Sequence, residues 1–178
     1  GETCTQYMHI FEDDMKAPGH EGAKWACSPA VRTPEDAEYL YRSLQNSTLQ
    51  VVSTDHAVFW YEGGKDGRQG GKELGKGNFT KIPNGIPGIE DRLYINWDAM
   101  VNTGKITENR FVALMSTNPA KIFGLYPKKG TIAVGSDADI VFFDPKKEHT
   151  VSASTHHCNI DYNAYEGRKV KGMPVKTM

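Results

Sequence analysis

Residues 33–56 read TPEDAEYLYRSLQNSTLQVVSTDH, and this stretch decides the fold. Thr33 is of the residue type that caps a helix N-terminus, Pro34 suits the first helical position, and Asp36 complements the positive end of the helix dipole. Ala37, Leu40, Tyr41 and Leu44 then recur at i, i+3, i+4 and i+7, so the spacing predicts an amphipathic helix over 34–45. After Asn46 and Ser47 comes LQVVS, a short β-branched run suited to a buried parallel strand. Residues 1–11 read as an earlier strand and its exit. Strand, helix and strand in that order are the grammar of an α/β fold.

Upstream of the helix, residues 23–28 (AKWACS) fit a short helix or an extended piece, limited by Pro29. Residues 56–88 carry nine glycines and no periodicity, and a loop of that length is usually functional or disordered. Residues 89–103 read as a helix with Leu93, Trp97, Met100 and Val101 on one face. Thr107 is expected to cap a further helix bearing Phe111, Leu114 and Met115. A shorter helix follows, capped by Thr117 or Asn118, with Pro119 in its first turn and Gly124 past its end. From Gly130 the pattern turns to β: TIAV, a Gly-Ser-Asp turn, DIVFFD, a Pro-Lys-Lys turn and HTVSAS. Extended segments at 168–171 and 173–177 flank Gly172. A domain boundary is expected near 126–130, giving portions 1–126 and 127–178.

The 178 residues carry a net charge of −1 and are 38% hydrophobic, an ordinary composition for a soluble chain. A near-zero charge argues against a nucleic-acid partner. No apolar run approaches the roughly 18 residues of a membrane helix. GETCTQYMHIFEDD has neither the basic start nor the apolar core of a signal peptide. Cys4, Cys27 and Cys158 are odd in number and far apart, which fits reduced thiols in a cytoplasmic protein. The first residue is Gly and the chain stops inside the alternating MPVKTM, so it reads as part of a longer polypeptide.

Asp55 stands directly after the LQVVS strand, where parallel α/β folds gather active-site groups. A carboxylate there can bind a divalent metal and take a proton from water, or it can simply cap the next turn. His56 points to the opposite face if the strand continues, which favours a supporting role over direct coordination. His156, His157 and Cys158 match no zinc spacing and read as surface or packing residues. GGKDGRQGGKELGKG lacks the phosphate-loop spacing and the interleaved aromatics of a nucleic-acid segment, and reads as a solvated loop near a site. Ser28, in C-S-P, and Asn84, in P-N-G-I-P-G, lie where backbone groups can aim at a polar ligand; on the residues alone, ordinary turn chemistry is the stronger account of them.

GETCTQYM, GAKWACSPAVR, STDH, KELGKGNFTKIPNGIPGIEDRL, TNPAKIFGLYPKKGTIAVGSDADIVFFDP and DYNAYEGRKVKGMPV together resemble the bacterial D-hydantoinase/dihydropyrimidinase family over nearly the whole chain. The segments at 73–93 and 117–145 are the specific ones. The resemblance implies the C-terminal part of a metal-dependent (β/α)₈ hydrolase barrel followed by part of a small β-sandwich. It implies hydrolysis of 5,6-dihydropyrimidines and 5-substituted hydantoins to N-carbamoyl amino acids, and a cytoplasmic homotetramer for the complete protein. Two zinc ions are implied, held by an H-x-H pair, a carboxylated lysine, two further histidines and one aspartate. Asp55 matches that aspartate, as metal ligand and proton shuttle. Ser28 and Asn84 match positions whose backbone groups hold the ring amide of a small cyclic diamide substrate.

The H-x-H pair, the lysine and the other histidine ligands are not identifiable here, so the isolated chain is expected to be inactive and, with an unpaired sheet edge, poorly stable. A rival class is the collapsin response mediator proteins, scaffold relatives that replace the metal aspartate; Asp55 is present. Allantoinase or dihydroorotase would share the metal chemistry, but KIPNGIPGIEDRL leans toward hydantoinase.

Overall fold

A computed structural model describes residues 1–63 and 70–178. Its centre is a parallel pair, β1 (Glu2–Cys4) and β2 (Val51–Ser53), in the register Glu2 with Val51, Thr3 with Val52 and Cys4 with Ser53. Residues 1–11 do not stay extended. The strand lasts three residues and turns at once into α1 (Gln6–His9), followed by 3₁₀ turns at Asp14–Lys16 and Glu21–Trp25. The last of these takes in residues 23–25 of the AKWACS segment, and the chain is extended at Ala26.

The helix expected over 34–45 is α2 (Pro34–Gln45). The Thr33 hydroxyl accepts from the Asp36 N–H and the Asp36 carboxylate accepts from the Thr33 N–H, a reciprocal capping box. Ala37, Tyr41 and Leu44 are buried and Leu40 is half-buried. At the other end Arg110 donates through Nε and Nη2 to the Leu44 carbonyl at 2.9 and 2.7 Å, covering an acceptor of the last turn. Leu44 and Leu114 are wholly inaccessible; complete burial of a leucine contributes roughly 2–3 kcal/mol.

α3 (Arg92–Asn96) runs on into a π turn, Trp97–Val101. The expected face is therefore displaced. Trp97 and Met100 are buried as expected, but Tyr94 and Ile95 are buried too, while Leu93 and Val101 are only partly covered. The helix serves two apolar clusters, one under α2 and one toward the C-terminal strands, so it has no single buried stripe. α4 (Glu108–Val112) begins as expected at Thr107, whose hydroxyl accepts from the Arg110 N–H, and continues through a π turn, Ala113–Thr117, into α5 (Asn118–Ile122). Thr117 and Asn118 do not cap. Both are helical, and they bind elsewhere: Thr117 Oγ donates to the Gly130 carbonyl and Asn118 Nδ2 to the Gln50 carbonyl, both at 2.8 Å. Pro119 sits in the first turn of α5 and has no N–H to give to the turn before it.

The C-terminal part is an antiparallel ribbon of β3 (Val141–Thr150) and β4 (Lys169–Thr177). Three expectations change here. TIAV is not a strand, and Ile132 and Val134 stand exposed. Pro-Lys-Lys is not a turn between strands but a bulge within β3, because the register jumps from Asp144 with Met173 to Glu148 with Lys171. Gly172 lies opposite that bulge and does not divide β4. Its φ is +107°, and a Cβ there would fall 2.3 Å from the Trp97 ring. The ribbon closes on α3 at this glycine, with the Phe143 ring 4.5 Å from that of Trp97 and tilted 45° to it. The Gly-rich stretch begins at residues that include 64–69, outside the described residues; at its far end Gly71, Lys72 and Gly75 are buried, while Gly70, Leu74, Lys76 and Gly77 are exposed.

Beneath the parallel strands, His9 is buried with its Nε2 3.1 Å from Asn96 Oδ1 and its Nδ1 3.0 Å from Arg168 Nη1. Asn Oδ1 accepts and the guanidinium donates, so the ring carries its proton on Nε2. Burial first, and the Arg168 charge second, push the His9 pKa down to about 3.

Two predictions follow from this packing. The unfolded chain takes up the His9 proton near pH 6.5 and the folded chain does not until about pH 3. Stability is therefore intact above pH 6.5 and falls below it, by up to about 1.4 kcal/mol per pH unit, as urea midpoints between pH 7 and 4 measure. Gly172→Ala forces a methyl group against Trp97 at an unfavourable φ and should cost about 2 kcal/mol or more in the same assay.

Candidate active site

The carboxyl ends of β1 and β2 open on a cavity of about 430 Å³ lined by Glu2, Thr3, Cys4, Tyr7, Pro29, Ser53, Thr54 and Asp55. Parallel pairing puts both strand ends on one side, so residues separated by some fifty positions of sequence share one opening. Asp55 is exposed there with φ +47°, a left-handed conformation that is uncommon for a residue with a side chain and recurs at functional sites. It caps no helix: the N-cap of the next helical turn, Lys72–Gly75, is Gly71. Among the described residues its carboxylate accepts no hydrogen bond.

Two weak acids in the cavity wall, the Cys4 thiol and the Tyr7 phenol, are held in their neutral form. Burial pushes the Cys4 thiol up, with the Asp55 and Glu2 charges adding to it and the Ser53 hydroxyl, 3.1 Å away, opposing it. Burial also raises Tyr7, to about 12, with Cys27, Cys4 and Asp55 acting in the same direction. Asp55 and Glu2 are the two carboxylates of the lining. Tyr7 and Cys4 were not singled out in the sequence; only their place beside a strand end could have suggested them.

His56 turns away from the cavity. Its Nδ1 accepts from the N–H groups of Gly88 and Ile89 at 3.1 and 3.2 Å, and the residue bridges to Ile86 as a one-pair extension of β2. That is the supporting role expected of it, and it ties the segment after Asn84 to the strand bearing Asp55. Ala57 N–H to the Ile86 carbonyl, 3.2 Å, is the next link.

Ser28 is exposed beside Pro29, which lines the cavity, and Asn84 is exposed in the facing loop. The two loops are joined by Gly85 N–H donating to the Ala26 carbonyl at 2.9 Å. Lys72, 0% exposed, reinforces the junction: its ammonium donates to the carbonyls of Ala26 (3.1 Å), Pro83 (2.8 Å) and Gly85 (2.8 Å). Burial lowers its pKa to about 8, which still leaves it charged at neutral pH. No hydrogen bond among the described residues uses the backbone N–H or C=O of Ser28 or Asn84. The structure thus gathers Asp55, Ser28 and Asn84 on adjoining segments.

His156, His157 and Cys158 lie outside this region. His157 pairs with Glu90 at 2.9 Å and His156 Nε2 meets the Ile160 carbonyl at 3.2 Å, which are packing contacts. Among the described residues no group of three or more His, Cys, Asp and Glu side chains could hold a metal ion. Asp55 belongs to no such group, so these residues do not by themselves fit a metal centre. No helix among them is long and apolar enough to cross a membrane.

Comparison with known proteins matches residues 20–178 to the amidohydrolase family, and the chain belongs to that family. It is 49% identical over 172 residues to a D-hydantoinase of Streptomyces coelicolor, covering 97% of this chain and 35% of that protein. A D-hydantoinase structure from a Bacillus species, AR9, superposes with a TM-score of 0.94 at 49% identity, covering 100% of this chain and 38% of that one. A dihydropyrimidinase structure from Brevibacillus agri gives a TM-score of 0.94 at 47% identity, with 100% and 37% covered. The chain therefore spans little more than a third of the length of the relatives it matches. Its fold class is the one expected, a portion of a TIM-type hydrolase barrel with β structure after it. Amidohydrolases are typically metal-dependent.

The two hydrogen bonds to His56 generate a prediction. His56→Leu removes the acceptor and should cost about 1–2 kcal/mol, with faster amide exchange at Gly88 and Ile89; His56→Asn, which keeps an acceptor, should restore part of the protection.

Proposed function

We propose that the protein carrying this chain hydrolyses the cyclic amide bond of 5,6-dihydropyrimidines and 5-substituted hydantoins, and that Asp55 is its proton-transfer residue. The observation that carries this is the carboxylate itself: exposed, in a left-handed conformation, at the carboxyl ends of two parallel strands, and opening on the cavity that Pro29 shares. The D-hydantoinase and dihydropyrimidinase names of the similar proteins supply the substrate class.

In ring opening, a water oxygen bonds to the ring carbonyl carbon, the C–N bond breaks, and the leaving nitrogen needs a proton. Asp55 accepts the proton that water loses and delivers it to that nitrogen, which one carboxylate can do in both directions. The unbonded backbone groups of Ser28 and Asn84 hold the ring amide, a donor and acceptor pair answering the ring's own C=O and N–H. Zinc belongs to this reading as the metal, with Asp55 the one donor that this chain contributes and the other donors supplied by polypeptide outside these 178 residues. Likeness alone supports a cytoplasmic homotetramer and a boundary between a barrel portion, 1–126, and a β portion, 127–178, where helices give way to the ribbon.

The test is made in the full-length protein. Asp55→Asn preserves side-chain shape and tolerates the left-handed backbone, so the fold should survive while kcat for dihydrouracil falls by a factor on the order of 10³ or more. The 178-residue chain alone should show no hydrolysis. Undiminished turnover in Asp55→Asn, or metal-dependent hydrolysis by the isolated chain, would overturn the assignment.

A further inference from the structure

Lys72 lies in the Gly-rich stretch, yet it is wholly enclosed. An ammonium group has three protons and no acceptor, and burying it is very costly unless each proton is bonded. Here each is. The three acceptors are Ala26, Pro83 and Gly85, and their positions matter: Ala26 is two residues before Ser28, while Pro83 and Gly85 flank Asn84. No carboxylate takes part, so the charge is neutralised by carbonyl dipoles drawn from both loops.

The side chain is also fixed at its root. Lys72 N–H donates to the Trp60 carbonyl at 2.8 Å, and its own carbonyl accepts from His20 Nε2 at 2.7 Å. Glycines allow the close approach. A Cβ at Gly71 would fall 2.2 Å from the Trp60 oxygen, and one at Gly85 would fall 2.5 Å from the Ala57 oxygen. The lysine is therefore a strut with one end on the 60 and 20 regions and the other on the two loops.

We propose that Lys72 is a positioning residue, a buried tripod that fixes the separation of the Ser28 and Asn84 backbone groups and so sets how the ring amide of the substrate is held. This rests on the function proposed above, but the clamp itself can be read without it. Lys72 touches neither substrate nor reacting atoms. It acts through the carbonyls on either side of the residues that do, and misplacing such groups by about 1 Å is enough to cost roughly 100-fold in rate.

The experiment uses the full-length, metal-loaded enzyme. Lys72→Met keeps the chain length and removes all three donors, and Lys72→Gln keeps two N–H groups and serves if the methionine variant does not fold. With metal content equal to the parent's, KM for dihydrouracil should rise about tenfold or more in Lys72→Met and by less in Lys72→Gln. A purely structural lysine would instead lower the active fraction, reducing Vmax at an unchanged KM, and that result in Lys72→Gln overturns the proposal. Amide exchange at Gly85, whose N–H lies on the Ala26 carbonyl, is measured in parallel: faster exchange in Lys72→Gln supports the clamp, and unchanged exchange overturns it. If the parent enzyme fails to open dihydrouracil and hydantoin rings while Gly85 exchange rises in the variant, the function proposed above fails and the clamp stands.

Discussion

Two three-residue strands, paired in parallel from Glu2 with Val51 to Cys4 with Ser53, determine where everything else in the chain can go. A parallel pair cannot be closed by a tight turn; it needs a crossover, and α2 supplies the helical part of it. The pairing extends past the strands, through Gln50 N–H to the Gly1 carbonyl and Thr5 N–H to the Ser53 carbonyl. Because both strands run the same way, their exits lie side by side, and the Cys4 thiol, the Tyr7 ring and the Asp55 carboxylate meet at one opening. His56 and Ile86 then add one more parallel link, which brings in the loop bearing Asn84.

Cations bonded to main-chain oxygen recur through the interior. Lys72 holds the two loops that carry Ser28 and Asn84, Arg110 covers the end of α2, Arg92 donates to the Val52 carbonyl at 2.8 Å, and Arg168 donates to the His9 carbonyl at 3.1 Å. Apart from the Val52 carbonyl, in the middle of β2, the acceptors lie at an element's end or in a loop, where the regular ladder leaves carbonyl oxygen capacity to spare. Such contacts join distant segments without bringing a second charge into the interior, so they avoid desolvating a carboxylate as well.

The parts of this architecture that could be read from sequence are those coded locally. The capping box at Thr33 and Asp36, the periodicity of α2 and the β-branched LQVVS run all lie within one window of chain, and each took the form expected. Asp55 was recognisable by its place after the strand. The ribbon was harder. Pro-Lys-Lys carries turn chemistry, and only pairing with residues 171–173 makes it a bulge. TIAV has strand composition and finds no strand partner among the described residues. Thr117 and Asn118 look like caps, but their side chains are drawn to Gly130 and Gln50. Lys72 was the least legible. A lysine among glycines reads as solvated, and its acceptors are 46, 11 and 13 residues away in the chain. No local pattern encodes that tripod.

Trp97 has edge-to-face contact with Phe111 of α4 and a tilted ring contact with Phe143 of β3, while the missing Cβ of Gly172 leaves room for its ring against β4. One indole thus touches a helix and both strands of the ribbon. Trp25 Nε1 donates to the Ala164 carbonyl and crosses the same seam at another point. Two of the three tryptophans of the chain are therefore natural optical probes of a single joint. Their emission would track the ribbon as it leaves or rejoins the helices, with no label added.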